Sequence, residues 1–207
     1  MKTSGRFYRI CFCLARTAIG IFYRLRVSGE ENIPEGAAIV CANHSSMVDP
    51  FLIAFAFGID CNVHVIAKAE LFRIPVISQI LRKLKMIRVD RGILDATTVK
   101  SALSYLKCGE VVVIFPEGTR ISSDDAITAK AGAVKIAERT GNPIVPLYLP
   151  RKKPLFRKVR LIVGEPYYIE KQQPKRTTDD YTGLSDLLME RIKLLNPEYH
   201  TSRSVEV

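Results

Sequence analysis

Two hydrophobic rhythms alternate along this chain. Short runs rich in Val, Ile and Leu at 37–42, 62–67, 86–89, 111–115, 144–149 and 158–163 predict strands. Between and after them, helical spacing at about 46–57, 71–83, 93–107, 129–140 and 181–195 predicts helices, with stop signals such as Gly109 and Gly141-Asn142 behind two of them. The alternation predicts an α/β fold: a single-domain sandwich whose mainly parallel central sheet is flanked by helices. In such sheets, sites form where strands end and loops begin.

The first segment has a different pattern. At 100° per residue from Arg6 to Arg26, one face gathers Phe7, Ile10, Cys11, Leu14, Ala18, Ile21, Phe22 and Leu25. The opposite face gathers Arg6, Arg9, Arg16 and Arg24. A helix in a membrane interface has this layout, apolar side down and arginines toward phosphates. A surface helix packed on its own domain fits nearly as well. A signal peptide fits poorly, because Arg16 interrupts the apolar run and no small-residue cleavage site follows. The chain thus divides into an amphipathic membrane-docking segment, 1–28, and a domain at 29–200. No stretch of eighteen uncharged apolar residues predicts a membrane-spanning helix.

Composition adds a partner class. The 207 residues suit one domain, and 47% hydrophobic content is ample for a core. The net charge of +10 is concentrated in residues 151–176, where nine Lys/Arg face two Glu. Such a balance points to a polyanionic surface. The five cysteines show no CxxC or Cys/His metal spacing, so reduced thiols are expected rather than disulfides or zinc.

Chemistry enters at "IVCANHSSMVDPF", residues 39–51. His44 stands at a strand exit, and imidazole is the side chain that ordinarily titrates near neutral pH. Asp49 follows five residues later. On one continuous helix the two would point about 140° apart. A bend between strand and helix brings them together, and the carboxylate can then fix the tautomer and stabilise the imidazolium. Ser45 or Ser46 would cap the helix. Alone, this pair is better read as a turn histidine beside a turn-forming Asp that precedes Pro50.

A second constellation is "VVVIFPEGTR", residues 111–120. An apolar strand opens into a turn where Gly118 permits a positive φ or a close approach. Thr119 offers a hydroxyl, and Arg120 a planar fork suited to phosphate. Glu117 is expected to orient Arg120 or to accept a hydrogen bond from a polyol hydroxyl.

In this order, the two motifs closely resemble the 1-acylglycerol-3-phosphate acyltransferase family. "NHSSMVD" matches its N-H-x-x-x-x-D element and "FPEGTR" its phosphate-contact element. "KAELFRIP…IRVDR" resembles its middle block through Lys68, Pro75, Asp90 and Arg91. "KAG" at Lys130–Gly132 and "NPIVPLYL" around Pro146 resemble the remaining blocks. The resemblance spans roughly residues 28–165. Ser78 and Lys85 stand where the family usually has glycine, and Ile121 where it often has Ser.

The resemblance implies transfer of a fatty acyl group from a thioester, acyl-CoA or acyl carrier protein, to lysophosphatidic acid in phospholipid synthesis. The alternatives are another lyso-lipid or glycerol 3-phosphate as acceptor, or a non-catalytic membrane-surface protein. His44 is the expected general base and Asp49 its orienter. Backbone N–H groups after His44 are the expected oxyanion donors, and Thr119, Arg120 and Lys68 or Arg91 the acceptor's phosphate site. Without a G-x-S-x-G elbow, direct transfer is expected rather than an acyl-enzyme. No metal, no resident cofactor and no nucleic-acid partner is expected. The expected location is the cytoplasmic face of the cell membrane, held peripherally on anionic lipid.

Overall fold

The computed structural model describes residues 5–90, 95–121 and 129–199. Its centre is a seven-stranded sheet of β1 (Arg24–Ser28), β2 (Ala38–Ala42), β3 (Val63–Lys68), β4 (Ile87–Val89), β5 (Val111–Ile114), β6 (Ile144–Tyr148) and β7 (Lys158–Val163). The order across the sheet is β1-β7-β6-β2-β5-β3-β4. All neighbours are parallel except β6 and β7, so β1 and β7 run against the other five.

The helices are α1 (Arg6–Phe22), α2 (Asp49–Phe57), α3 (Pro75–Lys83), α4 (Ala96–Lys107), α5 (Gly132–Thr140) and α6 (Thr178–Leu194). Side-chain alternation along the strands divides the core into two layers. Ala38, Val40 and Ala42 join Val111 and Val113 under α1 and α2. Ile39 and Cys41 join Val112 and Ile114 under α4, α5 and α6. β2 and β5 are fully buried, which accounts for their uninterrupted apolar sequence. Local signals set the helix ends: Asp95 caps α4 by accepting from the Thr98 amide, and Thr177 with Asp180 forms a capping box on α6.

The expected helix over 6–26 is shorter than its pattern. It stops at Phe22, and Arg24–Ser28 is β1, paired in parallel with β7. The sheet therefore begins inside the segment 1–28. Tyr8, Phe12, Ala15 and Ile19 seat α1 on the domain. Arg9 pairs with Asp60 at 2.5 Å in an exposed ion pair, and the Arg16 guanidinium lies 5.8 Å from the centre of the Phe55 ring. Much of the expected apolar face stays uncovered, with Leu14 at 67% and Ile21 at 64% exposure. Among the described residues, no helix is long and apolar enough to cross a membrane.

Candidate active site

The parallel strands β2 and β5 and the end of β6 deliver the site to one edge of the sheet. Asn43, just past β2, is buried and continues the strand pairing with its side chain. It donates to the Leu149 carbonyl at 2.7 Å and accepts from the Leu149 amide at 2.8 Å. This clamp fixes where His44 leaves the sheet and sets it against the connection between β6 and β7.

His44 and Asp49 meet there as their spacing allows, one before the bend and one opening α2. The ring Nδ1–H donates to Asp49 Oδ2 at 3.0 Å. A carboxylate can only accept, so this contact fixes the tautomer and leaves Nε2 as the basic nitrogen. Nε2 makes no hydrogen bond among the described residues. The ring stacks on Phe115 with centroids 4.0 Å apart and planes at 22°. Asp49 Oδ2 also accepts from the amides of Ser45 and Ser46, each at 2.8 Å. Burial pulls the Asp49 carboxyl upward, but the His44 ring, the Lys153 ammonium and the Ser45 amide outweigh it and hold it below the usual carboxylate range.

Those two amides correct one expectation. They serve the Asp49 carboxylate and so are not free to bind an oxyanion. The serine hydroxyls do not cap α2 either; its N-cap position is Val48, without a side-chain cap. The Ser45 hydroxyl instead accepts from Lys153 Nζ at 2.8 Å.

Glu117 corrects another. It neither orients Arg120 nor faces the cavity. It is buried, accepts from the His44 backbone amide at 2.9 Å, and pairs with Arg151 at 2.5 Å. Arg151 also donates to the carbonyls of His44, at 3.3 Å, and Ile121, at 3.0 Å. The turn is closed by the Ile121 amide donating to the His44 carbonyl at 2.8 Å. Gly118 has φ +67°, and a Cβ there would lie 2.6 Å from the Lys130 side chain. The positive φ is what calls for glycine here, since the Lys130 side chain is long enough to move aside.

His44 lines a cavity of about 750 Å³ together with Lys68, Gly118, Thr119, Arg120 and Lys130. The rest of the lining is mostly apolar and comes from α1, α2, α3 and the sheet, including Tyr8, Phe12, Leu81 and Met86. Thr119, Arg120 and Lys68 are exposed, and the Lys68 and Arg120 side chains make no ion pair or hydrogen bond among the described residues. Arg91 lies outside the described residues. The arrangement joins an oriented base, available cations and an apolar chamber. Such a chamber can take a lipid tail while the cations take an anionic head.

Two residues escaped the sequence reading: Arg151 and Lys153 were counted as surface charge. Their side chains are 7% and 3% exposed, and each neutralises one buried carboxylate of the site. Their place just after β6, on the same sheet edge as His44, was the available signal. The thiol nearest His44 in sequence, Cys41, is completely buried, and burial raises its pKa far above the usual thiol range.

Comparison with known proteins identifies the family. A model of the Acyltransferase family matches residues 24–150, more than half of the chain. A Bacillus subtilis 1-acyl-sn-glycerol-3-phosphate acyltransferase is 33% identical over 195 residues, covering 91% of this chain and 96% of that protein. A Borreliella burgdorferi protein of the same name is 32% identical over 144 residues, 68% of this chain and 56% of its own length. The crystal structure of the 1-acyl-sn-glycerophosphate (LPA) acyltransferase PlsC from Thermotoga maritima superposes with a TM-score of 0.67 at 27% identity, over 91% of this chain and 78% of that one. The chain belongs to the acyltransferase family.

Proposed function

We propose that the protein transfers a fatty acyl group from a thioester donor to the free hydroxyl of 1-acylglycerol 3-phosphate, giving phosphatidic acid. The observation that carries this is the His44–Asp49 pair, with Nε2 left unbonded among the described residues, at the cavity that His44, Lys68 and Arg120 line. The names of the relatives support the same acceptor.

The acceptor's hydroxyl is far too weak an acid to ionise near pH 7. His44 Nε2 takes its proton as the oxygen attacks the thioester carbonyl. Asp49 stabilises the imidazolium so formed. The C–O bond forms, the C–S bond breaks, and the imidazolium returns the proton to the departing thiolate. Arg120, Thr119 and Lys68 hold the phosphate so that the hydroxyl faces His44, which removes most of the orientational cost of the encounter. Backbone or cavity-lining donors other than the Ser45 and Ser46 amides bind the oxyanion. No acyl-enzyme is needed, since the Ser45 hydroxyl is tied to Lys153 and Cys41 is sealed in the core.

The protein acts as a peripheral enzyme on the cytoplasmic face of the membrane. Supporting this, the uncovered face of α1 lies beside α3, where Lys83 Nζ stands 4.9 Å from the centre of the Phe7 ring. α3 leaves Val76 at 70% exposure, with Ile74, Ile77 and Ile80 also exposed. Both helices line the cavity, so a lipid can pass from bilayer to site along apolar surface.

The test is an acyl-transfer assay pairing 1-acylglycerol 3-phosphate, glycerol 3-phosphate and monoacylglycerol with acyl-CoA and acyl carrier protein donors, read by product mass. Phosphatidic acid from the first acceptor, at the highest kcat/KM, is expected. Its absence with both donors overturns the proposal.

A further inference from the structure

We propose that Lys153 is a positioning residue for the general base, a fixed counter-charge on Asp49 that keeps His44 from being held in its protonated form. This inference rests on the catalytic roles proposed for His44 and Asp49.

The geometry around Lys153 is that of a built site. Its side chain is 3% exposed, and Nζ lies 2.8 Å from Asp49 Oδ1 in an ion pair. The same nitrogen donates to Ser45 Oγ at 2.8 Å and to the Pro150 carbonyl at 2.6 Å. An ammonium has three N–H groups and no lone pair, and here it meets three acceptors. Among the described residues the ammonium is the polar partner of Oδ1, so it alone compensates the burial of that oxygen. The carboxylate is thereby divided between two tasks. Oδ2 serves the His44 ring and the Ser45 and Ser46 amides, and Oδ1 serves Lys153.

The charges around His44 give this division its effect. From α2 comes Asp49, and from the connection between β6 and β7 come Lys153 and Arg151. Glu117 and Arg120 come from the turn after β5, Lys68 and Glu70 from the end of β3, and Lys130 from the approach to α5. Glu117 is matched by Arg151 and Asp49 by Lys153, so each buried carboxylate is neutralised on its own. Without Lys153, Asp49 would face His44 as an uncompensated buried anion. It would then bind imidazolium more tightly, and the base would remain protonated at a higher pH. Burial is the largest influence on Lys153 and, with Arg151, holds its ammonium below the usual lysine range, while Asp49 pulls it back upward.

The experiment follows the His44 ring directly in the full-length chain. The sequence has three histidines, so a His44→Ala spectrum identifies its resonances. Lys153→Met and Lys153→Gln are expected to raise the NMR titration midpoint of His44 by about one pH unit, the size expected when one nearby partly buried charge is removed. The acidic limb of kcat/KM should move upward with it. Lys153→Arg should leave both near the wild-type position. So should Lys152→Met, which alters net charge equally at an exposed neighbour. An unmoved midpoint in either folded, uncharged variant overturns the proposal. Failure of both uncharged variants to fold, read by circular dichroism, assigns Lys153 to the fold alone and overturns it too. Because the titration needs no substrate, it stands even if the assay above finds a different acceptor.

Discussion

Glu117 and Arg151 form a buried ion pair at 2.5 Å, and through it the carboxylate holds the backbone of His44 rather than any substrate. Removing one member of such a pair strands the other charge in the protein interior. Glu117→Ala is therefore expected to lower unfolding free energy by about 3 kcal/mol. Glu117→Gln keeps an acceptor for the His44 amide and should lose less. Urea unfolding of both variants measures this. A raised acceptor KM at unchanged stability would return Glu117 to the substrate.

His44→Ala should lower kcat on the order of 100- to 10,000-fold while leaving fold and acceptor binding in place. Single-turnover acyl transfer, alongside equilibrium binding of 1-acylglycerol 3-phosphate, separates the two. A variant retaining more than a few per cent of wild-type rate would rule out His44 as the base.

Asp49 makes stability depend on pH in a defined window. Its carboxyl is held below the usual range in the fold, where burial alone would have raised it. The unfolded chain, with a carboxyl pKa of about 3.9, then binds the proton first as pH falls. The stabilisation is fully present above that value and disappears as pH drops through the lower folded value. The stability deficit of Asp49→Asn should accordingly shrink as pH falls below about 4. A deficit that stays constant to pH 3 would mean the loss is one of shape rather than charge.

Arg120 is exposed and lines the cavity, which suits it to a ligand's phosphate. Replacing its planar fork with a point charge should cost at least one strong hydrogen bond. Arg120→Lys is thus expected to raise the acceptor KM about tenfold. Monoacylglycerol, lacking the phosphate, should be a poor substrate and lose comparatively little more. Equal losses for both acceptors would shift the phosphate assignment to Lys68.

Lys85 explains one departure from the family pattern. It has φ +55°, the left-handed region that glycine enters without strain, and it stands where the family usually has glycine. Lys85→Gly should stabilise the fold by up to about 1 kcal/mol, the strain removed less the extra entropy of glycine. Thermal unfolding reads the sign directly.

The sequence pattern disclosed the sheet and most helices because buried strands and amphipathic helices carry their burial in their own spacing. It missed β1, whose alternation Arg24-Leu25-Arg26-Val27 is only one strand long and abuts a strong helical pattern. The pairing of His44 with Asp49 was legible because it is local. The roles of Glu117, Arg151 and Lys153 were not. Arg151 lies 34 positions from Glu117, and Lys153 lies 108 from Ser45, so only tertiary closure turns an apparently solvated basic run into buried counter-charges.

The membrane surface can be tested at residues whose loss should not disturb the fold. Ile10, Leu14 and Ile21 project from α1 away from the side chains that seat it on the domain. Changing all three to Ser removes exposed apolar area only, so the unfolding midpoint should hardly move. Each side chain inserted into lipid contributes on the order of 1.5–3 kcal/mol. Losing three should therefore abolish sedimentation with vesicles containing anionic lipid. Salt should weaken wild-type binding less than it would if all four arginines expected to face lipid did so. Arg9 pairs with Asp60, Arg16 lies beside Phe55 and Arg24 belongs to β1, which leaves Arg6 on α1 for lipid phosphates. Val76→Ser with Ile80→Ser on α3 should weaken vesicle binding in the same way if the two helices form one docking surface. A triple α1 variant that sediments like the wild type would show that the helix serves its own domain alone.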